Sequence, residues 1–289
     1  MKSFSMNRRQ FARTSLALGT TSLVASLSGC TSSDSLSAAV GQQMPYQGKL
    51  GVQLYTLRDA FEKDYKSTLN ALANVGYKTL EFAGYFDHNP NDVKAYMDEL
   101  GLSSHATHIR LSDMKDNFGS VMETAKTMGQ TYLVLPWIAE DVRTLDGYKS
   151  IAELLNKRGE EARSAGMKTA YHNHEFEFET INGQVPYDIL LSETDPDLVT
   201  MEIDLFWTRK ANVDPLSYFN KHPGRFFGCH VKDMNNAGEM VSVGDGVIDF
   251  EKIFAKSKRA GLEHFFVEHD NPEDAIASVK KSFAYLSSL

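Results

Sequence analysis

The stretch ALANVGYKTLEF at 71–82 decides the fold. Its first half reads as a helix that stops at Gly76, and a short apolar strand begins about two residues later. Four other stretches repeat the arrangement: MDELGLSSHATH at 97–108, AKTMGQTYLVLP at 125–136, ARSAGMKTAYHN at 162–173 and SKRAGLEHFFVE at 257–268. Glycine adopts the left-handed backbone that closes a helix, which explains its place in each unit, at Gly76, Gly101, Gly129, Gly166 and Gly261. These glycines lie 25, 28 and 37 residues apart, one strand plus one helix each time, and the last gap of 95 has room for three such units. Strands that alternate with helices at this period pair in parallel through crossover helices.

Working outward, eight strands are expected: 49–56, 78–83, 103–109, 132–137, 168–174, 198–204, 226–233 and 264–270. Amphipathic helical patterns run between them, for example over 146–165 and 271–286. Eight βα units in about 240 residues suit a single-domain α/β protein, a (β/α)8 TIM barrel, whose usual size is about 250 residues. A doubly wound open sheet is the competing fold, but no Gly-x-Gly-x-x-Gly follows the first strand.

The composition agrees. Of 289 residues, 42% are hydrophobic and 24% charged, which excludes a disordered, fibrous or multi-pass membrane chain. Two cysteines, Cys30 and Cys229, are too few for a disulfide scaffold or a Cys-rich zinc module. Cys229 precedes a strand-end histidine and should face the helix layer as a small buried hydrophobe.

Residues 1–29 read separately from the rest. Arg8-Arg9 ahead of an uncharged stretch resembles a twin-arginine export signal, and Leu27-Ser28-Gly29-Cys30 resembles a lipobox. The expectation is a signal peptide over 1–29, a flexible Ser/Ala/Gly/Gln tether over 30–48 and a catalytic domain over 49–289. The protein would then be an exported, periplasmic or cell-envelope lipoprotein, touching the membrane only through a lipid at Cys30. Removing Lys2, Arg8, Arg9 and Arg13 with no acid moves the net charge from −8 to −12. Such a surface repels phosphate backbones, so nucleic acid is excluded as a partner and carbohydrate is favoured.

Chemistry gathers at the strand ends, where a barrel places its active site. Strand five ends His172-Asn173-His174, strand six Glu202-Ile203-Asp204, strand seven His230-Val231-Lys232-Asp233 and strand eight Glu268-His269-Asp270. Residues two apart on a strand share a side. Earlier strands add Gln53, Tyr55, Glu81, His105 and His108. Burying so many ionisable groups unpaired costs several kcal/mol each, on the order of the penalties known for such groups, and a bound cation resolves that cost. Glu175, Glu177 and Glu179 in HEFEFE read as a solvated edge. Asp249 reads as a helix N-cap, and Gly244 and Gly246 as a turn.

Taken together, GVQLYTLRD at 51–59, AYHNHEFEF at 170–178, MEIDLFW at 201–207, CHVKD at 229–233, VGDGVIDF at 243–250 and FVEHD at 266–270 resemble the xylose-isomerase-like TIM-barrel superfamily, often labelled sugar phosphate isomerase/epimerase. The resemblance runs from about Lys49 to the C-terminus. It implies one divalent metal ligand from each of the last four strands: His172, Asp204, His230 and Glu268. His174 competes with His172, and Glu202 with Asp204 if the register slips by two. Two carboxylates and two imidazoles accept Mn²⁺, the metal most often found in relatives, and also Zn²⁺, Co²⁺ or Fe²⁺.

Many relatives carry glutamate where this chain has His172. A two-glutamate epimerisation is therefore disfavoured, and the histidine-rich motif is similar to inosose-dehydratase-like and 3-keto-glycoside-cleaving members. The implied reaction is proton abstraction next to a carbonyl of an unphosphorylated keto-sugar, ending in isomerisation, epimerisation or β-elimination. Proton transfer is assigned to His174, then Glu202 and Lys232. Tyr55, Arg58, Glu81, His108 and Trp207 are assigned to substrate binding or support. Two other classes stand beside this one: a metal-free glycoside hydrolase using Glu268 and Glu202, and a lipid-anchored sugar-binding barrel without catalysis. An apurinic endonuclease needs further histidine ligands, and Trp207 stands at one of those positions.

Overall fold

The computed structural model describes residues 49–289. The expected signal peptide and tether, with Cys30, lie outside the described residues. No helix among the described residues is long and apolar enough to cross a membrane.

Eight parallel strands close into a barrel. They are β1 (Leu50–Gln53), β2 (Thr79–Phe82), β3 (Ser103–His108), β4 (Tyr132–Leu135), β5 (Lys168–His172), β6 (Val199–Asp204), β7 (Phe226–Val231) and β8 (His264–Val267). Each strand pairs with the next in sequence, and β1 closes the ring against β8 with Leu50 opposite Phe265. The (β/α)8 expectation holds. All five repeat glycines have positive φ, from +66° at Gly101 to +119° at Gly76, as the helix-stop reading requires.

The larger apolar core lies between the sheet and the helices and includes Cys229, fully buried as expected. A smaller cluster of Ala106, Val134, Ala170, Phe227 and Phe266 fills the barrel's interior. Gly51 makes room there: a Cβ at that position would stand 2.7 Å from the Phe266 ring.

Strands were expected too long at their carboxyl ends, where main-chain partners change. The Gln53 side chain accepts the N–H of Tyr55 and turns β1 into a 3-10 helix, Leu54–Leu57. His174 N–H goes to the Glu177 carboxylate, and His269 N–H to the Thr56 hydroxyl. Asp233 leaves β7 for a short antiparallel pair, Asp233–Met234 with Met240–Val241. The long helix expected over 146–165 is Leu145–Arg163, capped by Thr144. The last helix starts at Ala275 rather than 271, because Asp274 supplies its N-cap. Asp249 caps Phe250–Phe254 by accepting the Lys252 N–H.

Candidate functional site

Asp204 shows how the sequence aims a side chain. It ends β6 and is also the N-cap of the helix Leu205–Lys210, so Oδ1 accepts the Trp207 N–H at 2.8 Å. Oδ2 is left facing the barrel axis. There it meets His172 Nε2 at 3.2 Å, Lys232 Nζ at 3.0 Å and His230 Nδ1 at 3.8 Å. Asn173 holds the same turn by accepting the Asp204 N–H.

His230 stands in register with Asp204 on the neighbouring strand. Its Nδ1 lies 2.6 Å from Glu268 Oε2, yet neither atom has a hydrogen bond in good geometry among the described residues. Two buried electron-pair donors therefore face a common point. One atom from each of His172, Asp204, His230 and Glu268 lies within 4.8 Å of the others, and all four residues are buried. The quartet named from the sequence comes together. Two carboxylate oxygens and two imidazole nitrogens fit a divalent first-row cation.

The remaining ring nitrogens have partners that fix their tautomers, as metal-binding histidines require. His172 Nδ1 lies 3.3 Å from the Pro136 carbonyl, which leaves Nε2 for the site. His230 Nε2 lies 2.7 Å from Glu81 Oε2 and 3.2 Å from Glu202 Oε2. Glu81 also accepts from Gln53 Nε2 at 2.9 Å. Burial drives the His172 imidazole down to about 4, helped by His230, so it is a neutral ring. Burial alone would raise Asp204, but Lys232 and then His172 hold it down at about 2.

Lys232 is 2% exposed and is ringed by carboxylates: Asp204 at 3.0 Å, Glu268 at 2.7 Å and Asp270 at 2.8 Å. Those charges overcome burial and keep its ammonium well above the usual lysine range. Asp233 is not among its ion-pair partners. Asp233 points outward and accepts four main-chain N–H groups, from Met234, Gly244, Gly246 and Ile248. Gly244 and Gly246 do make a turn, and the carboxylate closes it. A Cβ on Gly246 would sit 2.1 Å from Asp233 Oδ1.

A cavity of about 470 Å³ opens above these groups, lined by Tyr55, His108, Trp137, His172, His174, Lys232, Glu268 and Asp270 among others. That volume falls in the range of small-molecule sites. His174 packs face to face with Phe176 at 5.3 Å and lies 5.4 Å from Trp207. Its Nδ1 is buried with no hydrogen-bond partner among the described residues. Burial, then His172 and Lys232, push its ring well below the usual imidazole range. Tyr55 and Trp137 are the exposed aromatics of the mouth, at 42% and 50%. A wider groove of about 920 Å³ lies beside the mouth, between the loops after β2 and β3, and holds none of the quartet.

Several assignments land elsewhere. Glu81 and Glu202 are fully buried and do not line the cavity; Glu202 sits two residues before Asp204 on β6, one layer deeper. Arg58 is tied to the carbonyls of Tyr55 and Asp270 and to Asn271 Oδ1, so it joins the β1 and β8 loops and does not line the cavity. Trp207 is half-buried, its ring 5.9 Å from Lys232 Nζ, and its Nε1 has no partner among the described residues. His105 packs against His264, away from the quartet. Glu177 overturns the solvated-edge reading. It is fully buried, accepts the Tyr171 hydroxyl at 2.6 Å and the His174 N–H at 2.7 Å, and so holds the end of β5.

A family model described as xylose isomerase-like TIM barrel matches residues 69–289. The chain belongs to this family. Among curated relatives, the inosose dehydratase of Lacticaseibacillus casei is 22% identical over 256 residues, 75% of this chain and 85% of that one. Among solved structures, a sugar phosphate isomerase/epimerase from Parabacteroides distasonis ATCC 8503 is 26% identical with a TM-score of 0.73, covering 82% of this chain and 97% of that one. The IOLI protein, solved with a zinc atom bound, shares the fold at 21% identity and a TM-score of 0.67, covering 83% of this chain and 98% of that one. In this xylose isomerase-like TIM barrel, then, the matched region takes in seven of the eight strands and every residue of the quartet.

Proposed function

We propose that this barrel is a divalent-metal-dependent enzyme that removes a proton next to the carbonyl of a keto-sugar, with β-elimination as the favoured outcome and isomerisation or epimerisation as the other. The observation that carries the reading is the convergence of His172, Asp204, His230 and Glu268, all buried, on one point. The curated relatives named inosose dehydratase support an elimination, since a dehydratase removes water. So does the site itself. A two-glutamate epimerisation needs a second glutamate beside Glu268 at the mouth, whereas strand five offers His172 and Glu202 is sealed below the cavity.

A divalent cation on the quartet, Mn²⁺ or Zn²⁺, Co²⁺ or Fe²⁺, supplies Lewis-acid polarisation of a carbonyl oxygen. The chain's own groups do the rest. His174 presents a neutral ring at the cavity wall, the form that accepts a proton. Lys232, kept charged, turns its three N–H groups to Asp204, Glu268 and Asp270 and holds those carboxylates in place at the cavity wall. Tyr55 and Trp137 present ring faces suited to the apolar face of a sugar. Export and lipid attachment at Cys30 belong to the same proposal and rest on residues 1–30.

Chelation should abolish turnover of keto-sugars, and Mn²⁺ or another divalent ion should restore it. In D₂O, deuterium should enter the carbon beside the carbonyl. His174→Ala should lower the rate about 10²-fold and keep the metal, whereas Asp204→Ala should lose both. Full activity after chelation would favour the two-carboxylate hydrolase instead.

A further inference from the structure

We propose that Glu81, His108, Glu202 and Nε2 of His230 form a second divalent-cation site, one layer below the first. The inference rests on the reading of the quartet as the first site. One atom from each of these residues lies within 4.8 Å of the others. The donors again number two carboxylates and two imidazoles, supplied this time by β2, β3, β6 and β7.

Hydrogen bonding leaves this cluster incomplete. Three N–H groups point into it, and all of them reach Oε2 atoms: Gln53 Nε2 and His230 Nε2 reach Glu81, and His108 Nε2 reaches Glu202 at 3.0 Å. Glu81 Oε1 and Glu202 Oε1 are buried with no hydrogen-bond partner among the described residues, and His108 Nε2 stands 3.6 Å from the former. A cation held by these four residues would give the two carboxylates the partner that hydrogen bonding leaves them short of. Charge points the same way. Five carboxylates surround the two clusters: Glu81, Glu202, Asp204, Glu268 and Asp270. Lys232 and one divalent ion leave this acidic cluster incompletely neutralised, and a second divalent ion would reduce the excess.

His230 links the two sites, with Nδ1 facing Asp204 and Glu268 and Nε2 facing Glu81 and Glu202. To hold a lower ion, Nε2 would have to release its proton to solvent, so that each ring nitrogen could serve one site. His108 supplies the route in, because it lines the cavity and also contacts Glu202.

The test is metal stoichiometry on the purified full-length protein, loaded with Mn²⁺, freed of excess ion and analysed for metal per chain. Wild type should hold two ions and show an exchange-coupled manganese signal by electron paramagnetic resonance. Glu81→Gln and His108→Ala should each hold one ion and lose the coupling, and the retained ion shows that the variant is folded. Saturation of the wild type at one ion would overturn the second site and leave the first intact. No bound ion at all would overturn both. Equal stoichiometry in wild type and Glu81→Gln would also reject the lower site.

Discussion

At the scale of single residues, Glu177 shows how a local pattern misleads. The alternation in HEFEFE has the period of a strand, which would turn all three glutamates one way. The segment Phe176–Phe178 is instead a turn of 3-10 helix, where neighbours two apart do not share a face, and Glu177 alone is buried. Burial pushes its carboxyl from 4.5 up to about 7, against the pull of the Tyr171 hydroxyl and the His174 N–H. A raised carboxyl means the folded state holds its proton longer than the unfolded chain does. The stability it contributes is complete below about pH 4.5 and is lost as pH rises through about 7. Wild-type stability relative to Glu177→Gln should therefore drop on the order of 3 kcal/mol between pH 4.5 and pH 8. Denaturant melts of both proteins at the two pH values measure it, and a constant gap would refute the assignment. The partners of His230 were equally hidden from the sequence, for a different reason. Glu81 is 149 residues away, and only barrel closure brings it to Nε2.

At the scale of elements, five of the eight strands were legible because each follows a helix-closing glycine, and the spacing left room for the others. The carboxyl ends of the strands were not, because those residues trade sheet partners for side chains in neighbouring loops. The clearest case follows β7, where Asp233 gathers four N–H groups from the segment 234–248. An isosteric amide accepts through one atom and turns N–H against N–H at the other. Asp233→Asn should lower stability by about 1–3 kcal/mol and speed proteolytic cleavage within 234–248, while the barrel's circular dichroism stays unchanged. Cleavage at the wild-type rate would mean that the loop holds itself without the carboxylate. The same tie steadies the strand that carries His230 and Lys232, which links loop order to the geometry of the site.

At the scale of the whole molecule, the site is a clasp across the second half of the barrel. The quartet draws one residue from each of β5, β6 and β7 and one from the residue after β8, and the Lys232 ammonium reaches both of its carboxylates. The fold and these four positions could be read from the sequence because barrel geometry sends every strand end to one face. The depth of Glu202 and Glu81 could not, since a strand's period gives the side on which a residue lies and says nothing of its layer. An ion that binds the folded barrel and not the unfolded chain stabilises it by mass action, about 2.7 kcal/mol at a hundredfold excess over its dissociation constant. In a domain of this size that amounts to a rise of roughly 5–10 °C in Tm. Thermal melts with and without Mn²⁺ should show the full rise in wild type and a smaller one in Glu268→Ala, which lacks a quartet carboxylate and keeps the four residues of the lower cluster. Equal shifts in the two proteins would place the stabilising ion outside the quartet and remove the basis for metal-assisted chemistry at the barrel's mouth.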